Sequence, residues 1–115
     1  MTAPAVERQA TIVNPLGLHA RPAAQLVRLA STFASDIAIA KDGIEVNGKS
    51  IMGVMMLAAE CGSSLTIKTD GEDAESAMAA LLALVADGFH EMHLTEELRE
   101  AELRDAEQRE NEGRE

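Results

Sequence analysis

Polar and apolar residues alternate over Glu7–Val13, with Ala10 and Ile12 sharing a face, and this period of two predicts a first strand. Past a break marked by Pro15 and Gly17 the period changes. Ala23, Leu26, Val27, Ala30 and Phe33 recur at helical spacing and predict a helix over 20–33. Alternation returns over 36–41, where Ile37 and Ile39 face one way. Asp42-Gly43 is a two-residue hairpin turn of the kind that matches strand twist, so 44–48 return as a third strand. Ser50 is placed to cap a short helix over 51–58, punctuated by Gly62. Residues 64–69 alternate again with Leu65 and Ile67 inward. Thr69 or Asp70 can cap a third helix, and the acids in its first turn complement the helix dipole. Its apolar face is Ala74, Ala77, Met78, Leu81, Leu82 and Val85, and Gly88 ends it.

The predicted order is strand, helix, strand, strand, helix, strand, helix (βαββαβα), which makes the chain α+β. Each element has a single apolar side. The helices must therefore cover one face of the sheet and leave the other to solvent, in two layers. Residues 90–115 differ in kind, with ten acids against four arginines. Glu100–Arg104, Asp105–Arg109 and Glu110–Arg114 are spaced as i,i+4 pairs, and Thr95 is a plausible helix start. Only Leu94, Leu98, Ala101 and Leu103 offer an apolar face. The reading is one domain over 1–89 and an acidic, partly helical extension over 90–115, either a solvated appendage or a docking element.

Composition narrows the function classes. Aromatic residues are 2% of the chain, Phe33 and Phe89 alone, so the core is built from Ala, Val, Ile, Leu and Met. Base stacking has no platform, and a net charge of −10 argues against nucleic acid as a partner. The single Cys61 excludes an internal disulfide and reads as an inert small residue. The first residues lack a basic, apolar leader pattern, and the apolar run 77–86 is too short to span a bilayer. A cytoplasmic protein, monomeric and without membrane insertion, is the expectation.

The candidate chemistry centres on Asn14–Ala24. His19 stands where a loop becomes a helix, and Pro22 fits the first helical turn, where a missing N–H does no harm. Free backbone N–H groups and the positive end of the dipole favour an anion there, and Arg21 adds a fixed charge. Histidine, helix start and arginine together suit a ring that takes and holds a phosphoryl group. Nothing resembles a Walker loop or a Mg²⁺-binding acid pair, so the pattern is that of a covalent carrier and not of an ATP-binding kinase. His90 and His93 with Glu91 are too thin a ligand set for a metal, and all three are expected in solvent; no metal or cofactor is expected.

The run Gly17-Leu18-His19-Ala20-Arg21-Pro22-Ala23-Ala24 resembles the active-site signature of the histidine-containing phosphocarrier (HPr) family of the bacterial phosphoenolpyruvate-dependent phosphotransferase system. Asn47–Met55 is similar to that family's second segment, around a regulatory serine. The resemblance spans roughly residues 6–89 and implies an open-faced β-sandwich of four antiparallel strands covered by three helices. It implies that His19 accepts a phosphoryl group from enzyme I on Nδ1 and passes it to enzyme IIA components for sugar transport. Arg21 would help hold that group, and Pro22 matches the helix-start proline. Such a protein is a phosphohistidine carrier with no turnover of its own. Ser50 matches the serine that an HPr kinase/phosphorylase modifies in some bacteria, besides being a helix cap. Ile51, Met52, Met55 and Met56 are either an exposed docking patch or core. Two alternatives stand beside sugar transport: a carrier of a regulatory, nitrogen-type branch, and a binding-only regulator switched at Ser50. The extension past Phe89 departs from the family, whose members usually end near that point.

Overall fold

The computed structural model describes residues 5–91 together with 101, 103–105 and 108. Strands β1 (Val6–Thr11), β2 (Asp36–Lys41), β3 (Ile44–Asn47) and β4 (Ser64–Asp70) form a single antiparallel sheet in the order β1-β4-β2-β3. Helices α1 (Ala20–Ala30), α2 (Ile51–Met56) and α3 (Ala74–Ala86) follow the predicted succession. Asp42 and Gly43 take φ of +51° and +82°, the left-handed pair that closes a tight hairpin between β2 and β3.

The register explains the layering. Ala10 lies opposite Leu65, and Ile39 is flanked by Ile67 on one side and Val46 on the other. Ile39, Leu65 and Ile67 are fully buried under the helices, as are Leu26 of α1, Val54 of α2 and Leu81 of α3. On the other face Glu7 lies opposite Lys68, and the two make an exposed ion pair at 3.6 Å. The protein is thus an open-faced, two-layer α+β sandwich.

Element ends differ from expectation by a residue or a turn: β1 begins at Val6, β3 ends at Asn47 and β4 runs on to Asp70, and four further differences involve local contacts. β1 ends at Thr11, although Ile12 still exchanges hydrogen bonds with Ser63 O (2.9 Å) and Gly62 N (2.7 Å). α1 stops at Ala30 instead of 33, because the Thr32 hydroxyl donates to Leu29 O (2.6 Å) and draws a helix carbonyl out of the ladder. Phe33 is only partly buried. α2 stops at Met56, since Ala58 turns left-handed at φ +48°. The residue at the start of α3 is Asp73, neither Thr69 nor Asp70. Thr69 is instead buried, with its hydroxyl donating to Ala74 O at 2.8 Å.

In the extension, Ala101, Leu103, Arg104, Asp105 and Gln108 are helical and Leu103 is exposed. The expected helix start at Thr95, the apolar positions Leu94 and Leu98, and one or both partners of each i,i+4 pair lie outside the described residues, as does His93.

Asp73 does not cap its own helix. Its carboxylate accepts from the amides of Ala34 (2.8 Å) and Ser35 (2.9 Å) and from the Ser35 hydroxyl, and so ties the α1–β2 loop to the start of α3. These bonds, the Ser35 hydroxyl foremost, hold the carboxyl below its ordinary 3.8. A lowered value means that the stabilisation is complete above 3.8 and is lost as pH falls through the lowered value. Asp73→Asn should therefore be less stable than wild type at neutral pH, with the gap closing below about pH 3.8. Urea midpoints measured across that range check this, and a gap independent of pH would contradict it.

Candidate functional site

The loop between β1 and α1 is shaped by one glycine. Gly17 has φ of +68°, and a Cβ there would lie 2.4 Å from Ala59 O. Its amide donates to Asn14 O (3.1 Å), which closes the turn, and Leu18 N donates to Ala59 O (2.8 Å), which pins the loop to the segment after α2. Leu18 is buried and His19 follows as the residue capping α1, with φ −74° and ψ −177°. The first helical bond runs from Ala23 N to His19 O at 3.0 Å. Pro22 is buried in the first turn and has no N–H. Among the described residues no partner is found for the amides of Ala20 and Arg21, so two donors face outward at the positive end of the helix. Arg21 is exposed, and its guanidinium makes no ion pair with the described residues.

The His19 side chain is 35% exposed, and its inner side meets a buried carboxylate. Nε2 lies 3.0 Å from Glu91 Oε1 and 3.1 Å from Oε2. Asn14 completes the cluster: its Nδ2 donates to Gly17 O (2.8 Å) and to Glu91 Oε1 (3.1 Å). Both neighbours are acceptors only, so the amide nitrogen and not the oxygen must face them. Glu91 is 2% exposed and Asn14 fully buried; Asn14 Oδ1 is buried with no partner among the described residues. A carboxylate this buried needs donors, and the imidazole and the amide supply them.

Glu91 reaches this place through an unusual backbone. Gly88, Phe89 and His90 all have left-handed φ, at +68°, +55° and +61°. The turn Gly88–His90 closes with Glu91 N donating to Gly88 O at 2.9 Å. Left-handed φ costs a non-glycine residue roughly 1–2 kcal/mol. Burial of the Phe89 ring, wholly removed from solvent, offsets it. His90 points away and pairs with Asp87.

The site residues read from sequence fall as follows. His19, Arg21 and Pro22 come together at the start of α1. Ser50 caps α2, its hydroxyl oxygen accepting from Gly53 N at 3.1 Å. Ile51, Met52, Met55 and Met56 are 45%, 75%, 42% and 72% exposed, so none of them belongs to the core. α2 packs on α1, and with exposed Leu16 and Val13 these residues make the surface beside the active loop apolar. Glu91 overturns its expectation: it is not in solvent but under the His19 ring. The signal for it was Phe89, one of two aromatics in the chain, standing after the glycine that ends α3. Cys61 is exposed and lies 3.7 Å from Val13 O. A shallow concavity of about 600 Å³, lined by residues such as Asp36, Ala38, Asn47 and Lys68, contains none of these side chains. No group of three or more His, Cys, Asp or Glu placed to hold a metal occurs among the described residues.

His19 is thus a loop-borne histidine at a helix start, open to solvent on one side and engaged by a carboxylate on the other. Residues 6–87 match the family model described as the PTS HPr component phosphorylation site. The phosphocarrier protein HPr of Cupriavidus necator is 54% identical over 86 residues, covering 75% of this chain and 97% of that protein. The crystal structure of an HPr from Bacillus anthracis superposes with a TM-score of 0.70 at 49% identity, covering 72% of this chain and 99% of that one. Crh, the Bacillus subtilis catabolite repression protein, whose crystal structure is a domain-swapped dimer, is 43% identical with a TM-score of 0.59, covering 71% of this chain and 94% of its own. The chain belongs to the HPr family: it is a phosphocarrier protein of the phosphotransferase system. Members of that family carry phosphoryl groups and are not catalytic enzymes. No helix among the described residues is long and apolar enough to cross a membrane.

Gly17 holds the whole loop, so Gly17→Ala should be destabilising by about 1–3 kcal/mol, from the left-handed φ and the collision with Ala59 O together. Equilibrium urea unfolding of the variant measures this. A wild-type midpoint would mean that the loop tolerates a side chain.

Proposed function

We propose that the chain accepts a phosphoryl group from enzyme I on Nδ1 of His19 and passes it to enzyme IIA components for sugar transport. The observation that supports this most is the state of the ring: Nε2 is engaged by Glu91, while the side chain remains a third exposed beside the outward amides of Ala20 and Arg21. The Nδ1 lone pair forms the new bond to phosphorus as the donor's bond to phosphorus breaks. The incoming group is a dianion, and the helix start and the Arg21 guanidinium stabilise it where it lands. The open site leaves the partner to complete the surroundings of the phosphoryl group, so that the group is held without being trapped. The carrier has no turnover of its own, works as a monomer and resides in the cytoplasm.

The exposed residues Ile51, Met52, Met55 and Met56 form the docking surface. Methionine is flexible and polarisable, which suits a patch that must fit a donor and then an acceptor. Ser50 borders that patch and is the regulatory phosphosite, the substrate of an HPr kinase/phosphorylase. A phosphate there lies at a helix start, which favours it, and puts charge into an apolar contact, which disfavours docking. His19 and Arg21 are both present, and this favours a carrier over a binding-only regulator; a carrier of the nitrogen-type branch would use the same site with a different docking preference.

Intact-mass analysis after incubation with phosphoenolpyruvate, Mg²⁺ and enzyme I tests the central claim. Wild type should gain one acid-labile phosphoryl group and His19→Ala none. An adduct that survives in His19→Ala would remove His19 from its role. Ser50→Asp should slow phosphorylation of His19 by enzyme I, and unchanged transfer kinetics in that variant would remove Ser50 from the docking surface.

A further inference from the structure

We infer that Glu91, held in place by Asn14, is a positioning residue that keeps a proton on Nε2 of His19 before and after phosphoryl transfer. This rests on the carrier reading above. A carboxylate only accepts hydrogen bonds, and both oxygens of Glu91 lie within 3.1 Å of Nε2. Nε2 must therefore carry the hydrogen. In the neutral ring this leaves Nδ1 as the bare lone pair, so the carboxylate selects which nitrogen is the nucleophile.

The same contact acts on the product. When the Nδ1 lone pair bonds to phosphorus, no proton leaves the ring, because Nδ1 had none. The donor's bond to phosphorus breaks and its electron pair stays with the donor. The ring is then formally cationic, with Nε2–H still facing Glu91. In that state the leaving group of the next transfer is a neutral imidazole. Were the Nε2 proton lost, the leaving group would be an imidazole anion and the phosphoryl group would be inert. Glu91 thus stabilises the state from which the phosphoryl group can depart.

The surroundings fit a fixed and not a casual contact. Glu91 is 2% exposed and Asn14 0%, so bulk water is kept from replacing either group. Asn14 spans Gly17 O and Glu91 Oε1, which links the carboxylate to the loop that carries the ring. The left-handed run Gly88–His90, strained at Phe89 and His90, turns the chain after α3 toward His19. Backbone strain is retained at a defined place because the neighbouring structure holds it there.

The test uses the full chain with ¹⁵N-labelled histidine. In the unphosphorylated wild type, two-bond ¹H–¹⁵N spectra of His19 should show a single neutral tautomer with hydrogen on Nε2. Glu91→Ala should give a tautomer mixture and a rate of phosphorylation by enzyme I lowered roughly tenfold, the scale at which removing a histidine's orienting carboxylate is felt. Glu91→Gln keeps an acceptor oxygen and should restore the single tautomer. It loses the charge, so the phosphorylated form should persist several-fold longer at neutral pH in both variants than in wild type. A purely structural role for Glu91 would leave the tautomer and the phosphoryl lifetime unchanged, and that result in Glu91→Gln and Glu91→Ala overturns the inference. Absence of any adduct on wild type, with an enzyme I active on another HPr, overturns the carrier reading instead. The ring spectrum of the unphosphorylated protein decides the position of the proton independently of that result.

Discussion

A sheet with one apolar face must be covered from one side only, and this chain has few large side chains with which to do it. Its strands bring Ile37, Ile39, Leu65 and Ile67 to the covered face, and its helices answer with small and branched residues such as Ala23, Leu26, Ala77 and Leu81. Small residues let the helices lie close to the sheet. The edges of the layers, where loops enter and leave the helices, are where side chains stay open to solvent. His19 occupies such an edge, at the start of α1.

The edge is rigid because its irregular backbone is cross-braced. Gly17 and Leu18 are fixed to Asn14 and Ala59, and Asn14 reaches across to a residue 77 positions away. Of the places where φ turns positive, Gly17 lies in the loop that carries the imidazole and Gly88–His90 in the turn that leads to its carboxylate partner. Elsewhere the helices and strands follow their ordinary periods. A ring supported in this way has its orientation set before a partner arrives, while its outer side is left unobstructed.

Much of this was readable in the amino-acid sequence. Alternation at Ile37 and Ile39 and at Leu65 and Ile67, and the helical spacing from Ala74 to Val85, reproduce the observed elements and their inward faces. Pro15, Gly17 and Pro22 mark the active loop because their backbone preferences are local. What was not readable depends on groups far apart in the chain. Asp73 reads in sequence as one of the acids at the start of α3, yet its carboxylate serves Ala34 and Ser35. Glu91 sits in a run of charges whose composition is that of a solvated tail, and only a left-handed turn anchored by Phe89 sends it inward. Local periodicity carries no information about such a reversal, because the burial of Phe89 is decided by the tertiary fold.

The pairing of β1 with β4 joins Val6 to Thr69, and the contact of His19 with Glu91 spans 72 positions. Long-range closures of this kind come late in folding, since the entropy of closing a large loop must be met before the contacts form. The β2–β3 hairpin, joined by two residues, can form early and locally. During synthesis the histidine emerges long before its carboxylate does. A chain short of residue 91 thus carries His19 without the buried carboxylate that meets its Nε2.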